Sequence, residues 1–318
     1  MPQFDWLSQF SEMIAVTGRL EVHCVYGAPW RIARAPSGSR EIPYHIVLEG
    51  RAIFEDAQTG STRELLSGDI LLLPQASAHV LHDGSGYTAS HADHRLVSAG
   101  WTLSDNDGPG ERLEMLCGRL FIEPPHDRLI RNYFPTHLVV RTMNNHDDKA
   151  MASASGRLGL LLGLMRAEST SDKPGGHAIF NMFSSVMFTL ALRAASESDS
   201  APAGLAALAG DDRLVPAVSA MLADLARPWR LSELANVCGM RHDLFARLFR
   251  AALGRSAIEL LTDLRMSMAA NALRDSSETI KAVAGSVGYR SPAAFRRVFS
   301  ERTGMTPGQW RHLAIEGE

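Results

Sequence analysis

Two segments near the carboxyl end repeat one pattern of residues that could recognise nucleic acid. A guanidinium group can donate two hydrogen bonds to guanine O6 and N7, a contact worth about 1–3 kcal/mol of discrimination between bases. Each segment carries an arginine between two phenylalanines, followed by a glycine. The spacing is identical: Phe245, Arg247, Phe249 and Gly254 in LANVCGMRHDLFARLFRAALG, and Phe295, Arg297, Phe299 and Gly304 in VAGSVGYRSPAAFRRVFSERTG.

Helical periodicity divides each segment into an apolar face and an opposite face. Each segment also contains a glycine before its first phenylalanine, Gly239 in one and Gly288 in the other. Glycine permits the positive φ of a tight turn, so we predict two helix-turn-helix motifs. The apolar faces consist of Phe245, Leu248 and Phe249, and of Phe295, Val298 and Phe299. The opposite faces carry Asp243, Ala246, Arg247 and Arg250, and Ala293, Arg296, Arg297 and Ser300.

The charge of the chain changes sign along its length. From Arg227 onward there are 14 Lys and Arg and 9 Asp and Glu, a net charge of +5, whereas the preceding part has 18 and 26, a net charge of −8. A basic module fits a polyanionic partner, because neutralising phosphates releases counterions.

The segment GYRSPAAFRRVFSERTGMTPGQWR resembles the signature of the AraC/XylS family of transcription regulators, and the resemblance covers roughly Leu214 to Leu313. It implies a connecting helix from Ala257 to Arg274 and recognition helices in successive major grooves, roughly 34 Å apart. It also implies a homodimer that binds double-stranded promoter DNA and activates through RNA polymerase. The expected DNA-binding residues are Asp243, Ala246, Arg247, Arg250, Arg290, Ala293, Ala294, Arg296 and Arg297.

The residue types narrow this expectation. Ala246, Ala293 and Ala294 offer only methyl contacts, for instance to thymine, so Arg247 and Arg297 are the first candidates for hydrogen bonds to bases. The alternative interpretation is that these arginines are solvated surface residues.

Residues from about 20 to 122 form short apolar runs separated by turn residues, which predicts a sandwich or small β-barrel. Within them, GDILLLPQASAHVLHD resembles the second cupin motif, with Gly68, Pro74 and His79 in the expected places, although Ala76 replaces a glycine and Asp83 an asparagine. The family's metal-binding residues of the first motif would fall at Ser37, Ser39 and Pro43.

None of these three residues is a metal ligand. The remaining candidate ligands are His79 and His45, and strand parity points His45 into the barrel. Zn²⁺ generally has three or four protein ligands, so we expect neither a metal nor a cofactor and interpret both histidines as pocket or core residues. Recruitment of His82, His91 and His94 is the alternative.

Cys24 and Cys117 are candidate redox sensors. His23 beside Cys24 could lower the thiol pKa if protonated. The segments HCVYGAPW and MLCGRLFI resemble a cupin-bearing branch of AraC-type regulators that keeps cysteines at these two places. The alternative is that buried cysteine acts as a small hydrophobic residue, as we expect for Cys238.

The predicted fold class is α+β, with an N-terminal cupin-like β-barrel and a C-terminal all-α domain. Two apolar helices, roughly 149–168 and 176–195, are expected to contribute core and a dimer interface. The small, polar stretch SESDSAPAG is typical of a linker. We therefore predict a sensor at 1–122, a dimerisation segment at 123–195, a linker at 196–210 and a DNA-binding domain at 211–318.

The composition, 45% hydrophobic and 21% charged, is that of a globular protein. No apolar run approaches the roughly 18 residues of a membrane span, and MPQFDWLSQFSEM lacks signal-peptide features, so we expect no membrane contact and a cytoplasmic location. The sequence favours a regulator that responds to a small molecule or oxidant and is not an enzyme. The alternatives are a metal-dependent cupin enzyme with a helical appendage, and an effector-binding module whose DNA affinity is incidental.

Overall fold

The computed structural model describes residues 5–97, 100–142, 152–171, 173–198, 203–275 and 277–316 of the chain. The chain forms two compact units. A sheet unit consists of Val16–Ile122 and Phe134–Ser200. A helical unit consists of Met1–Ala15, Glu123–Tyr133 and Ala201–Glu318. The α+β fold class is confirmed.

The sheet unit contains two sheets, in which strands that alternate buried and exposed residues enclose an apolar core. The larger sheet has the order β11-β6-β3-β10-β1-β9-β8 and the smaller has the order β2-β7-β4-β5. The strands are β1 (Thr17–Gly27), β2 (Arg31–Arg34), β3 (Glu41–Glu49), β4 (Arg51–Asp56), β5 (Thr62–Leu66), β6 (Asp69–Leu72), β7 (His79–His82), β8 (Asp93–Leu96), β9 (Thr102–Asp105), β10 (Arg112–Phe121) and β11 (Leu138–Arg141).

The longest strand pair is β1 with β10. They run antiparallel from Thr17 opposite Phe121 to Gly27 opposite Arg112, with a register irregularity after Leu20. The core between the sheets draws Cys24 from β1 and Cys117 from β10, together with aromatic and aliphatic side chains of the smaller sheet. The central pair of the larger sheet therefore carries both buried thiols.

Two helices complete the sheet unit, here numbered α3 (Ala154–Ser169) and α4 (Gly176–Ser196) because α1 and α2 belong to the helical unit. They confirm the two predicted apolar helices, although residues 149–151 lie outside the described part. Helix α4 packs on β1, where a Cβ on Gly18 would lie 2.5 Å from Ser184 Cβ, and only glycine permits that approach. By length and composition alone α4 could span a membrane, but this packing is that of a core helix.

The helical unit has ten helices in its described residues. They are α1 (Trp6–Ile14), α2 (Asp127–Tyr133), α5 (Leu205–Ala209), α6 (Val215–Ala223), α7 (Leu231–Val237), α8 (His242–Leu253), α9 (Ala257–Asp275), α10 (Ile280–Ser286), α11 (Pro292–Thr303) and α12 (Pro307–Glu316). Helices α1 and α2 precede the others by more than seventy residues and belong here because of the apolar side chains they bury: Leu7, Phe10, Met13, Ile14, Leu129, Ile130 and Tyr133.

The helix pairs α7–α8 and α10–α11 form the repeated motifs, and α9 connects them. Phe245, Phe249, Phe295 and Phe299 are fully buried, which confirms the predicted apolar faces. Their ring centroids lie 5.4 Å apart in α8 and 5.5 Å apart in α11. Both helices end at a glycine in the left-handed region, Gly254 (φ 77°) and Gly304 (φ 79°). Helices α8 and α11 are thus built alike.

Candidate nucleic-acid interface and thiol–imidazole site

Helix α8 presents a cationic outer face. Asp243, Arg247 and Arg250 are exposed and Ala246 is half-buried. The guanidinium groups of Arg247 and Arg250 make no hydrogen bond or ion pair with any described residue, so their donors are available to a ligand. Asp243 is paired with Arg241, at 2.9 Å between Oδ2 and Nη2, and both side chains are largely exposed.

Helix α11 presents the second cationic face. It begins at Pro292, where the Ser291 Oγ accepts a hydrogen bond from Ala294 N. Ala293, Arg296 and Arg297 are exposed, as is Arg290 just before the helix. Arg297 forms a surface ion pair with Glu301 at 3.3 Å, whereas Arg290 and Arg296 have no partner in the described chain. Exposure of these side chains is what phosphate or base contact requires.

Four strands of the sheet unit bring two cysteines and two histidines together. His45 Nδ1 lies 3.0 Å from Cys117 Sγ, and His45 Nε2 lies 2.8 Å from His79 Nε2. His79 Nδ1 in turn lies 3.0 Å from the carbonyl oxygen of Ser77. Cys24 and Cys117 lie together in the same buried core. Cys24, His45, His79 and Cys117, hereafter the thiol–imidazole cluster, are all buried.

The carbonyl oxygen of Ser77 determines which ring nitrogen carries the proton in each imidazole of the cluster. Ser77 O can only accept, so His79 donates from Nδ1 and accepts at Nε2, which makes His45 donate from Nε2. His45 Nδ1 then accepts a hydrogen bond from the Cys117 thiol. Burial lowers the pKa of both imidazoles, most strongly that of His45, and keeps them neutral.

The two thiols differ in acidity. Interaction with the neighbouring Cys24 side chain and burial raise the pKa of Cys117, which keeps its proton. Interaction with the neighbouring Cys117 side chain lowers the pKa of Cys24 despite its burial. Thiolate is the reactive form of cysteine, so Cys24 is the better nucleophile of the pair.

The expectation that His23 assists Cys24 was wrong. Successive residues of a strand face opposite sides of the sheet, and His23 Nε2 is paired with Glu114 Oε1 at 3.0 Å. The imidazole that contacts a thiol is His45, which sequence reasoning placed in the pocket without a thiol partner. His82 and His91 face Glu55 and Asp93 at 3.9 Å and 3.8 Å.

A cavity of about 420 Å³ opens onto the cluster. His45, His79 and Cys117 line it, together with Arg34 and Arg119. Arg119 is neutralised by ion pairs to two glutamates, at 3.2 Å each. Arg34 makes no hydrogen bond or ion pair with the described residues, and its charge helps to lower the pKa of Cys24. Among the described residues no three His, Cys, Asp or Glu side chains are arranged to hold a metal ion.

The chain was compared with known proteins. A cupin family profile matches residues 5–197 and a helix-turn-helix domain profile matches residues 234–312. The RCS-specific HTH-type transcriptional activator RclR of Escherichia coli K12 is 27% identical over 96% of this chain and 97% of its own length. The transcriptional regulator MtrA of Neisseria gonorrhoeae is 25% identical over 96% and 98%.

Among solved structures, ToxT of Vibrio cholerae with a bound unsaturated fatty acid is 12% identical over 95% of this chain and 96% of that chain, with a TM-score of 0.36. The cupin profile alone spans more than half of the residues, and the repeated motifs carry the second profile. The chain therefore belongs to the AraC/XylS family of helix-turn-helix transcription regulators, in the group with an N-terminal cupin domain.

Proposed function

We propose that this DNA-binding regulator reads promoter DNA with the exposed faces of α8 and α11 and changes its binding when Cys24 and Cys117 are oxidised. The carrying observation is the thiol–imidazole cluster, in which two neighbouring thiols of unequal acidity are buried together and Cys117 lines a cavity. The regulator acts in the cytoplasm and not as an enzyme, and as an activator it would contact RNA polymerase.

On DNA, Arg247 and Arg297 donate to base edges. Asp243 and the methyl groups of Ala246, Ala293 and Ala294 lie beside them on the same faces. The remaining cations meet phosphates, and these are Arg250, Arg290 and Arg296. Each face holds one central arginine between buried phenylalanines, so the two faces would meet two successive grooves in the same way.

Oxidation joins the two sulfurs. The Cys24 thiolate attacks an electrophilic oxidant, the Cys117 sulfur displaces the leaving group, and an S–S bond forms. Two electrons pass to the oxidant and two thiol protons are released. His45 receives the proton of Cys117 through its Nδ1, since that atom already accepts from the thiol.

The decisive test uses diamide, which oxidises two thiols to a disulfide while it is reduced to the hydrazine. Operator footprints of wild type, Cys24→Ser and Cys117→Ser are compared with and without diamide. We expect the wild-type footprint to change and both variants to be insensitive. Cys238→Ser, whose thiol lies in the helical unit, is the matched control and should respond like wild type. Equal behaviour of all four proteins would remove the thiol proposal.

A small-molecule effector is the second candidate, because the cavity is large enough for one and Arg34 offers a cation without a partner in the described chain. Titration with candidate carboxylates separates the two ideas. Arg34→Ala should abolish carboxylate binding yet retain the diamide response. Retained carboxylate binding with a lost diamide response would instead assign Arg34 to the thiols alone.

The dimer interface is proposed on α3 and α4. Leu160 and Leu164 lie one turn apart on α3, Met182 and Val186 lie one turn apart on α4, and all four are at least 37% exposed. Two such apolar pairs fit a second copy of the chain. Leu164→Glu with Val186→Glu should convert a dimer to a monomer in analytical ultracentrifugation, whereas a wild type that is already monomeric would contradict the proposal.

A further inference from the structure

Two short segments that flank strands of the sheet unit in sequence pack within the helical unit. They are residues 5–14, which contain α1, and residues 123–133, which contain α2, and together we call them the clasp. Helix α1 packs against α6 and α9. Asn271 of α9 donates through Nδ2 to Met13 O at 2.9 Å, and its Oδ1 accepts from His126 Nε2 at 2.9 Å. One side chain of the connecting helix thus holds both parts of the clasp.

A buried chain of polar groups runs from the clasp to the second recognition helix. Tyr133 donates through its hydroxyl to Asp263 Oδ2 of α9 at 2.6 Å. The other carboxylate oxygen of Asp263 forms an ion pair with Arg302 of α11 at 3.1 Å. Tyr133 and Asp263 are 1% and 5% exposed, so the pair is shielded from solvent. An ion pair of this kind depends on all of its partners.

The clasp also holds the end of α11 directly. Arg128 donates through Nη1 to the carbonyl oxygens of Arg302, at 2.6 Å, and Glu301, at 3.3 Å. The last carbonyls of a helix lack partners within the helix, and a cation is favourable beside them. At the other side, Arg255, between α8 and α9, donates to Asn132 Oδ1 at 3.0 Å. The clasp therefore bonds to the second motif, to the helix that joins the two motifs, and to Arg255, which follows the last helix of the first motif.

The clasp continues directly into the strands that carry the thiols. Helix α1 ends at Ile14 and β1 begins at Thr17, while β10 ends at Phe121 and the second part of the clasp begins at Glu123. These strands pair with each other over their full length and carry Cys24 and Cys117. A shift of either strand must be taken up within two residues or passed to the clasp.

We propose that the clasp sets the orientation of α8 relative to α11 and passes the state of β1 and β10 to them. Rearrangement of the strands would withdraw Tyr133 from Asp263 and Arg128 from the end of α11, which frees the second motif from the first. The inference rests on the proposed function, because it requires specific DNA binding and a thiol signal.

The first experiment measures orientation through DNA spacing. Affinity is compared for an operator and for the same operator with one base pair inserted between the two groove sites. One inserted base pair rotates and displaces the second groove site. Loss of a single base contact lowers affinity roughly 5–150-fold, so wild type should bind the original operator at least about tenfold more tightly than the operator with the insertion. Arg128→Ala with Tyr133→Phe should discriminate by less than about threefold, because the motifs can adjust independently.

Two proteins make the result decisive. Tyr133→Phe alone keeps the buried ring and loses one hydrogen bond, so it should fold and show an intermediate preference. Arg95→Ala with Tyr87→Phe changes exposed residues of the sheet unit and should match wild type. A clasp variant that discriminates as well as wild type would overturn the inference. A wild type that binds all DNA equally would overturn the proposed function and the clasp with it.

The second experiment tests transmission in the full chain. Insertion of Gly-Ser-Gly after Ala15 and after Ile122 leaves the clasp residues intact but adds slack between them and the strands. We expect this variant to keep the spacing preference, to form the diamide disulfide as wild type does, and to lose the footprint change. A retained footprint change would show that the signal does not travel through the clasp. Failure of wild type to respond would instead count against thiol sensing.

Discussion

The two helix-turn-helix motifs share a buried framework but differ in what surrounds it. Two and three positions after the second phenylalanine, the first motif has Ala251 and Ala252, whereas the second has Glu301 and Arg302. Glu301 pairs with Arg297, and Arg302 pairs with Asp263. The first motif has methyl groups at these positions. The same repeat therefore yields one motif with a free arginine and one whose arginine and helix end are held.

The turns differ in the same sense. A Cβ on Gly239 of the first motif would meet no atom within 4 Å, whereas a Cβ on Gly288 of the second would lie 2.4 Å from Ala226 O. Arg265 secures that junction by donating to the carbonyls of Leu225 at 2.7 Å and Arg227 at 2.6 Å. The repeat in the sequence thus specifies the helix-turn-helix motif, whereas neighbouring segments specify how firmly each of the two motifs is held.

The largest expected effect is a difference in stability between alanine variants of the two turn glycines, Gly239 and Gly288. Alanine in the left-handed region costs about 1–2 kcal/mol at either position. Gly288→Ala adds overlap with a backbone carbonyl, worth about a further 1–3 kcal/mol. Denaturant unfolding of the full-length variants should show Gly288→Ala clearly less stable than Gly239→Ala. Equal losses would mean that the Ala226 junction yields and that the second motif is no more firmly placed than the first.

The next largest expected effect is a loss of stability at low pH. Its source is the buried imidazole of His126, which contacts the connecting helix α9 that leads to the second motif. Burial lowers the pKa of His126 to about 4 from 6.5. As the pH falls below 6.5, the unfolded chain binds a proton that the folded chain rejects, so stability is lost progressively down to about pH 4. Between pH 7 and pH 5 this amounts to about 2 kcal/mol.

His126→Gln retains a donor for Asn271 Oδ1 and cannot titrate. Its unfolding free energy should therefore fall less steeply between pH 7 and pH 5 than that of wild type. Hydrogen exchange of the α9 amides at both pH values provides the measurement. His91→Gln, at an exposed position of the sheet unit, is the control. A slope unchanged by His126→Gln would show that this imidazole is protonated as readily in the folded chain as in the unfolded one.

The recognition arginines should differ in their contribution to DNA affinity. Arg247→Ala and Arg297→Ala should each cost about 1–3 kcal/mol and relax the preference at one base pair. The loss at Arg297 should be smaller by about 0.3–0.5 kcal/mol, because its guanidinium first leaves Glu301. Binding to a set of single-base operator variants tests this. Uniform weakening across all sequences would identify a phosphate contact instead.

The smallest expected effect on DNA affinity comes from the ion pair between Arg297 and Glu301. Glu301→Gln frees Arg297 and removes a negative charge near the proposed DNA face, so affinity should rise about twofold, in line with exposed helical ion pairs of 0.3–0.5 kcal/mol. The gain should shrink as salt increases. Ala251→Gln at the equivalent position of the first motif is the control. A gain in that protein too would attribute the effect to the amide and not to the freed arginine.

Local patterns in the sequence were enough to predict the motifs. The period of the apolar residues placed Phe245, Phe249, Phe295 and Phe299 in the core, and the structure confirms all four. Strand parity likewise pointed His45 inward, and the cupin-like motif placed His79 in the pocket; both side chains are buried. These predictions succeeded because burial of one face follows directly from the spacing of residues along a single element.

The partner of each thiol could not be predicted from such spacing. His23 is adjacent to Cys24 in sequence but faces Glu114, whereas His45 reaches Cys117 from 72 residues away because β3 and β10 are paired in register. Register depends on the whole sheet, so no single strand contains the information.

The sequence was enough to predict the two similar helices α8 and α11, an inward pair of histidines and a cupin-like strand pattern, because each is a property of one short segment. Only the folded chain shows that the Cys117 thiol contacts the His45 imidazole and that α1 and α2 pack within the helical unit. The physical reason is that these contacts join residues more than seventy positions apart, as in the bond of Tyr133 to Asp263. Contacts of that kind are selected by the packing of the complete core, not by local periodicity.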